Sequence, residues 1–224
     1  MAGSHSGSRV TQRWAPDFGR RRGSSLGNCA RPAERVYLLF ANSEFVMKRL
    51  SNHQVTLKPQ DLVVLLKLAT VGEKTRTFSE LASDLVMSAS EVHSSVGRAM
   101  EARLVHMAGD TLRVTKAALK EFVIHGAKYA FPATFGAATR GLPTSHAAPP
   151  LQKVIVQPKE LPPVWPDPTG PTRGMTLYPL YPTVPQAARS DPALYENLAL
   201  FDALRSGAAR ERQVATELLV ERLG

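Results

Sequence analysis

The stretch that decides the fold is Thr77–Thr115, TFSELASDLVMSASEVHSSVGRAMEARLVHMAGDTLRVT. Thr77-Phe-Ser-Glu80 and Ser88-Ala-Ser-Glu91 each place a hydroxyl three residues ahead of a glutamate. At that spacing the hydroxyl accepts from the glutamate's backbone N–H. The carboxylate reaches back to the amide of the capping residue, so two otherwise unsatisfied donors are closed together. Two helices are therefore predicted to start just after Thr77 and Ser88. The first runs to about Leu85 and buries Leu81, Ala82 and Leu85. The second runs from about Ala89 to Arg103, with Val92, Val96, Ala99 and Met100 spaced by three and four along one face. Leu104–Ala108 and Thr111–Val114 read as a hairpin around the turn residues Gly109-Asp110.

Outward from this segment, Lys58-Pro59 opens an earlier helix, with proline suited to its first turn. Leu62, Val63, Leu65, Leu66, Leu68 and Ala69 cover much of that helix, so it is expected to be buried, and Gly72 ends it. After the hairpin, Thr115 caps a helix from Lys116 to about His125. Residues 127–190 hold 13 of the chain's 17 prolines. Yet Val154-Ile-Val156, Leu161, Trp165, Tyr178 and Tyr181 are too apolar for a plain linker, so an extended, ordered arm laid over another surface is expected. Thr139-Arg-Gly141 and Thr172-Arg-Gly174 form a weak echo, too short to count as a repeat. In residues 191–224, Asp191-Pro192 is an N-cap followed by proline at the first helical position. Ser206-Gly207 then separates two amphipathic helices, striped by Leu194, Leu198, Phe201 and Leu204 and by Val214, Leu218 and Leu219. Arg210, Glu211, Arg212 and Glu217 are expected to face water.

Residues 1–46 read as a disordered tail or as sequence upstream of the true start, Met47 opening the well-patterned part. Residues 36–46 are apolar enough to pack as a strand or helix. The expected fold class is mainly α, of the α+β kind. Its parts are a domain over 47–126, the proline-rich arm over 127–190, and a C-terminal helical hairpin over 191–224 for dimerisation or partner docking.

The 224-residue chain carries a net charge of +9 and a pI near 10.0. That charge suits a polyanionic partner. It is unevenly placed: residues 1–46 contribute +4, 47–126 +3 and 127–224 +2. No apolar run approaches the roughly 18 residues of a membrane span, and the Arg-rich N-terminus lacks the apolar core of a secretory signal. The one cysteine, Cys29, excludes an intrachain disulfide. The six histidines are scattered without metal-ligand spacing. Phosphate loop, dinucleotide fingerprint and nucleophile elbow are all missing. No catalytic residues, no cofactor-binding residues, no metal and no cofactor are expected, and the chain reads as a cytoplasmic non-enzyme.

Phe78-Ser-Glu-Leu-Ala82, Leu85, Met87-Ser88, Ser90-Glu-Val-His93, Arg98, Leu104-Val105 and Gly109-Asp110 together resemble the winged helix-turn-helix of MarR-like bacterial transcription regulators. The resemblance covers about residues 57–126. It implies that the helix from Ala89 is a recognition helix, laid in a DNA major groove, with Ser90, His93, Ser94, Gly97 and Arg98 outward. Arg98 would read a guanine or hold a phosphate. Ser88, Ser90 and Ser94 would donate to phosphates at the helix N-terminus, and Lys74, Arg76 and Arg113 would reach the backbone. The chain departs from the pattern at Val86 and Arg103, where such families usually carry glycine. The function implied is a sequence-specific DNA-binding regulator, a homodimer and a repressor. The alternative is an adaptor or antitoxin-like accessory protein that holds a partner protein through residues 127–224, with the winged helix as scaffold.

Overall fold

The computed structural model describes residues 54–72 and 76–224, and the expectations for residues 1–46 and for Lys74 fall outside them. Residues 54–224 form one unit of mixed α and β structure.

Helix α1, Pro59–Val71, starts as the sequence indicates, with the Asp61 carboxylate accepting from the Lys58 amide at 2.8 Å. Its residues 61–68 are buried without interruption, and Gly72 ends it at φ 63°. Burying each leucine or valine of such a helix contributes roughly 1.5–3 kcal/mol, so α1 organises the core. Helices α2, Phe78–Leu85, and α3, Ala89–Glu101, begin with the two predicted caps. Glu80 N donates to Thr77 Oγ1 and Glu91 N to Ser88 Oγ, both at 3.2 Å. On α3 the buried face is Val92, Ser95, Val96 and Ala99. Met100, expected inward, is 39% exposed, because the helix turns Ser95 toward α1 in its place.

Strands β1, Val105–Ala108, and β2, Thr111–Val114, pair antiparallel from Val105–Val114 to Ala108–Thr111. Helix α4, Lys116–Glu121, continues through a π-helical stretch, Phe122–Ala127, to a last turn at Lys128–Ala130. Thr115 does not cap it by its side chain; its hydroxyl lies 3.2 Å from His106 Nδ1.

The proline-rich segment is not an extended arm. Strands β3, Phe135–Pro143, β4, Pro163–Pro166, and β5, Thr172–Leu177, close on one another as a three-stranded barrel. β3 is antiparallel to both neighbours, and β4 and β5 are parallel. The closure is tight. A Cβ on Gly141 would lie 2.0 Å from the Trp165 carbonyl oxygen, and one on Gly174 would lie 2.0 Å from that of Pro162. Only glycine lets β4 approach so closely.

Helix α5, Val184–Ser190, leads into α6, Pro192–Ser206, and α7, Ala209–Leu223. The C-terminal pair does not stand apart from the rest of the core. α6 buries Leu194 and every residue from Asn197 to Leu204, and one hydrophobic cluster runs from Leu62 through Trp165 to Leu223. Glu211, expected in water, is 9% exposed and accepts from the Ala208 amide at 3.0 Å. Asp202 ties the barrel to α6: its carboxylate accepts from Trp165 Nε1 at 2.6 Å, Thr144 Oγ1 at 2.7 Å and Arg205 Nε at 2.8 Å. Lys67 of α1 meets Asp84 and Asp191, each at 2.8 Å. Burial works against its charge, but the carboxylates, Asp191 first, hold its pKa above the ordinary lysine value. No helix among the described residues is long and apolar enough to cross a membrane.

Candidate nucleic-acid interface

The turn between α2 and α3 is built on Val86, whose backbone is left-handed at φ 55° and ψ 43°. A β-branched residue is rarely found there. The turn closes nonetheless, with Met87 N donating to the Ala82 carbonyl at 2.9 Å. The segment before α5 braces it. Thr183 Oγ1 donates to the Leu85 carbonyl at 2.9 Å, and the Tyr181 hydroxyl donates to Glu91 Oε1. That hydroxyl, with the Ser88 amide and hydroxyl, lowers the Glu91 pKa to about 2. The carboxylate is thus charged and occupied at the start of α3.

The predicted contact residues divide into an outward set and an internal one. Ser90, His93 and Ser94 are exposed, and a Cβ placed on Gly97 would meet nothing within 4 Å. The edge of the His93 ring packs against Phe78, ring centres 5.2 Å apart. Ser88 is exposed, but its hydroxyl donates to Glu91 Oε2 at 2.8 Å and serves the cap. Arg98, expected outward, is turned in. Its Nε and Nη2 donate to the two oxygens of Asp61 at 2.8 and 2.6 Å, and Asp61 is 1% exposed. Helical spacing from Val92 and Ser95 carries position 98 to the edge of α3, where a long side chain reaches the acid of α1. Arg113 likewise turns in, donating to the Gly72 carbonyl at 2.9 Å and lining a cleft of about 240 Å³ with Leu68, Val114, Leu119 and Leu223. Arg76 lies beside Glu80 at 4.0 Å.

The sequence reading missed three residues at this site. Arg103 is exposed at the start of the hairpin, at φ 60°, where a glycine was thought the usual occupant. Tyr181 and Thr183 hold the turn from far along the chain, and no local signal points to them. Asp61, which holds Arg98, was not singled out from the sequence either.

What remains outward on α3 is a face of short polar groups at intervals of three and four residues: Ser90, His93, Ser94 and Gly97. Such a face can approach a groove closely and bond by hydrogen bonds more than by charge. Arg103 and His106 supply exposed basic groups nearby in sequence, offset by the exposed Glu101 and Asp110. Among the described residues no group of three or more histidine, cysteine or acidic side chains is placed to hold a metal. No protein-family model, curated protein or solved structure matches the chain.

Proposed function

We propose that the chain is a cytoplasmic, sequence-specific DNA-binding regulator, with α1–α3 and the β1–β2 hairpin serving as a winged helix-turn-helix and α3 as the recognition helix. The observation that carries this reading is the state of α3. Asp61 holds its C-terminal half through Arg98, Tyr181 holds its start through Glu91, and the face of Ser90, His93, Ser94 and Gly97 is left bare. A helix fixed on its inner sides and small and polar on its outer one is suited to a major groove. One such face with few basic contacts binds weakly. The chain therefore acts as a homodimer on two half-sites, whose free energies combine, and it represses by occupying a promoter.

The test is a titration of the full chain on DNA from upstream of its own gene, with random DNA as competitor. Wild type should prefer the upstream DNA and protect two spaced half-sites. The pair His93→Ala and Ser94→Ala together should remove about 1–3 kcal/mol of that preference, while binding to random DNA stays as it was. Equal affinity for the two DNAs in the wild-type chain would end this reading.

A second reading has its own observation. Val154, Val156 and Leu161, in the loop before β4, are 58%, 93% and 47% exposed. An adaptor that holds a partner protein would use this loop, and stoichiometric co-purification of such a partner without DNA binding would select it.

A further inference from the structure

The two Thr-Arg-Gly triplets meet. β3 and β5 pair antiparallel with Thr139 against Gly174, Arg140 against Arg173 and Gly141 against Thr172. The triplets are therefore related by a local twofold axis that passes between the arginines. Successive side chains of a strand alternate in direction, and directly opposed residues share a face. Gly141 and Gly174 turn toward β4, so both arginines leave the barrel on the other side. The Arg140 carbonyl accepts from the Asp167 amide at 3.1 Å, and Met175 N, two residues beyond Arg173, donates to Pro162 at 2.9 Å. The backbone groups at this register thus point away from each other. The arginines form a non-hydrogen-bonded pair, the closer of the two kinds, with Cβ atoms about 4.5–5.5 Å apart.

Like charges so placed oppose sheet formation, and no acid among the described residues relieves them. Among the described residues neither guanidinium has a carboxylate within ion-pair distance. Asp167, which approaches through its backbone, is bound by Arg189 at 2.6 Å. Among the described residues the Arg140 guanidinium makes one hydrogen bond, to the Gly170 carbonyl at 3.4 Å, and both side chains are exposed.

The geometry points to Arg140 and Arg173 as a clamp for a backbone phosphate of nucleic acid. Two guanidinium forks from one face direct several N–H donors at one tetrahedral oxyanion, and a bridging anion turns their repulsion into attraction. A chain of net charge +9 suits a polyanion better than an isolated ion. The clamp takes its partner class from the DNA reading above but not its surface. A phosphate contact fixes position on the nucleic acid and carries no sequence preference.

Two measurements on the full chain test it, with Arg140→Gln, Arg173→Gln and the double variant. In chloride buffer each single variant should melt above wild type, because the repulsion is relieved. In inorganic phosphate at matched ionic strength the wild type should gain stability and the double variant should not. In DNA titrations at several salt concentrations, each lost arginine should lower the slope of log affinity against log salt by about one. Affinity should fall several-fold, equally on upstream and random DNA. An unchanged salt slope, an unchanged response to phosphate, or binding of a phosphorylated peptide without any DNA binding would each overturn the clamp. Wild-type binding without sequence preference, but with the slope still dependent on these arginines, would remove only the assignment of α3.

Discussion

Arg98 shows how a side chain's partner decides its meaning. An arginine on a recognition helix reads from sequence as a base or phosphate contact. In the structure its guanidinium is a bidentate partner of Asp61, at 22% and 1% side-chain exposure. Breaking a buried pair from one side leaves the other charge without compensation and costs about 3–5 kcal/mol. Arg98→Ala is therefore expected to destabilise the chain by about 3 kcal/mol in urea unfolding. Arg98→Lys, which keeps the charge but not the fork, should recover part of that. A fully stable Arg98→Ala chain with weakened DNA binding would restore the outward role.

The elements around the turn separate what local sequence specifies from what it does not. Both caps were legible because a hydroxyl and a glutamate three residues apart satisfy each other without help from elsewhere. The buried run of α1 was legible for a similar reason, since its leucines and valines leave no polar face. The barrel was not. Five of the nine residues of β3 are alanine, glycine or proline, and the barrel closes only because the chain around β4 can cross Gly141 and Gly174 at backbone contact distance. Part of the site was legible too: Ser90, His93 and Ser94 sit outward as helical spacing requires, whereas the inward turn of Arg98 and Arg113 depends on acceptors in α1 and just beyond it. Val86 shows the same limit from another side. The sequence marked Val86 as a departure from the glycine usual there but did not show how the turn accommodates it. Tertiary bonds from Thr183 and Tyr181 hold the adjoining helix ends while Val86 takes the left-handed conformation. That conformation costs a residue with a Cβ roughly 1–2 kcal/mol. Val86→Gly should therefore stabilise the chain by about 1 kcal/mol, the relief being partly offset by the greater freedom of glycine when unfolded. Thermal melting checks this directly, and a lower melting temperature would mean that the half-exposed valine side chain packs to more effect than its backbone strain costs.

At the scale of the molecule, the segments that read as separate parts share bonds that none can make alone. Lys67 of α1 needs Asp191, the cap of α6. The start of α3 needs Tyr181. The barrel reaches α6 through Asp202, which accepts from Trp165, Thr144 and Arg205. Arg205 in turn donates to the carbonyls of Tyr178 at 2.8 Å and Pro132 at 3.3 Å. Residues 54–224 are accordingly expected to unfold as one cooperative unit, because these bonds are shared between its parts. The chain has two tryptophans, so in a Trp14→Phe background Trp165 fluorescence reports on the barrel while far-UV circular dichroism reports on the helices. In urea the two transitions should coincide. Asp202→Ala removes a carboxylate that is 1% exposed and leaves Arg205 without its acid. It should lower stability by about 3–5 kcal/mol and move both midpoints together. If the helical transition stayed in place while the fluorescence transition moved, α1–α3 would stand without the C-terminal half. The bracing of α3 by Tyr181 and Thr183 would then be an ornament of the fold and not a condition for it.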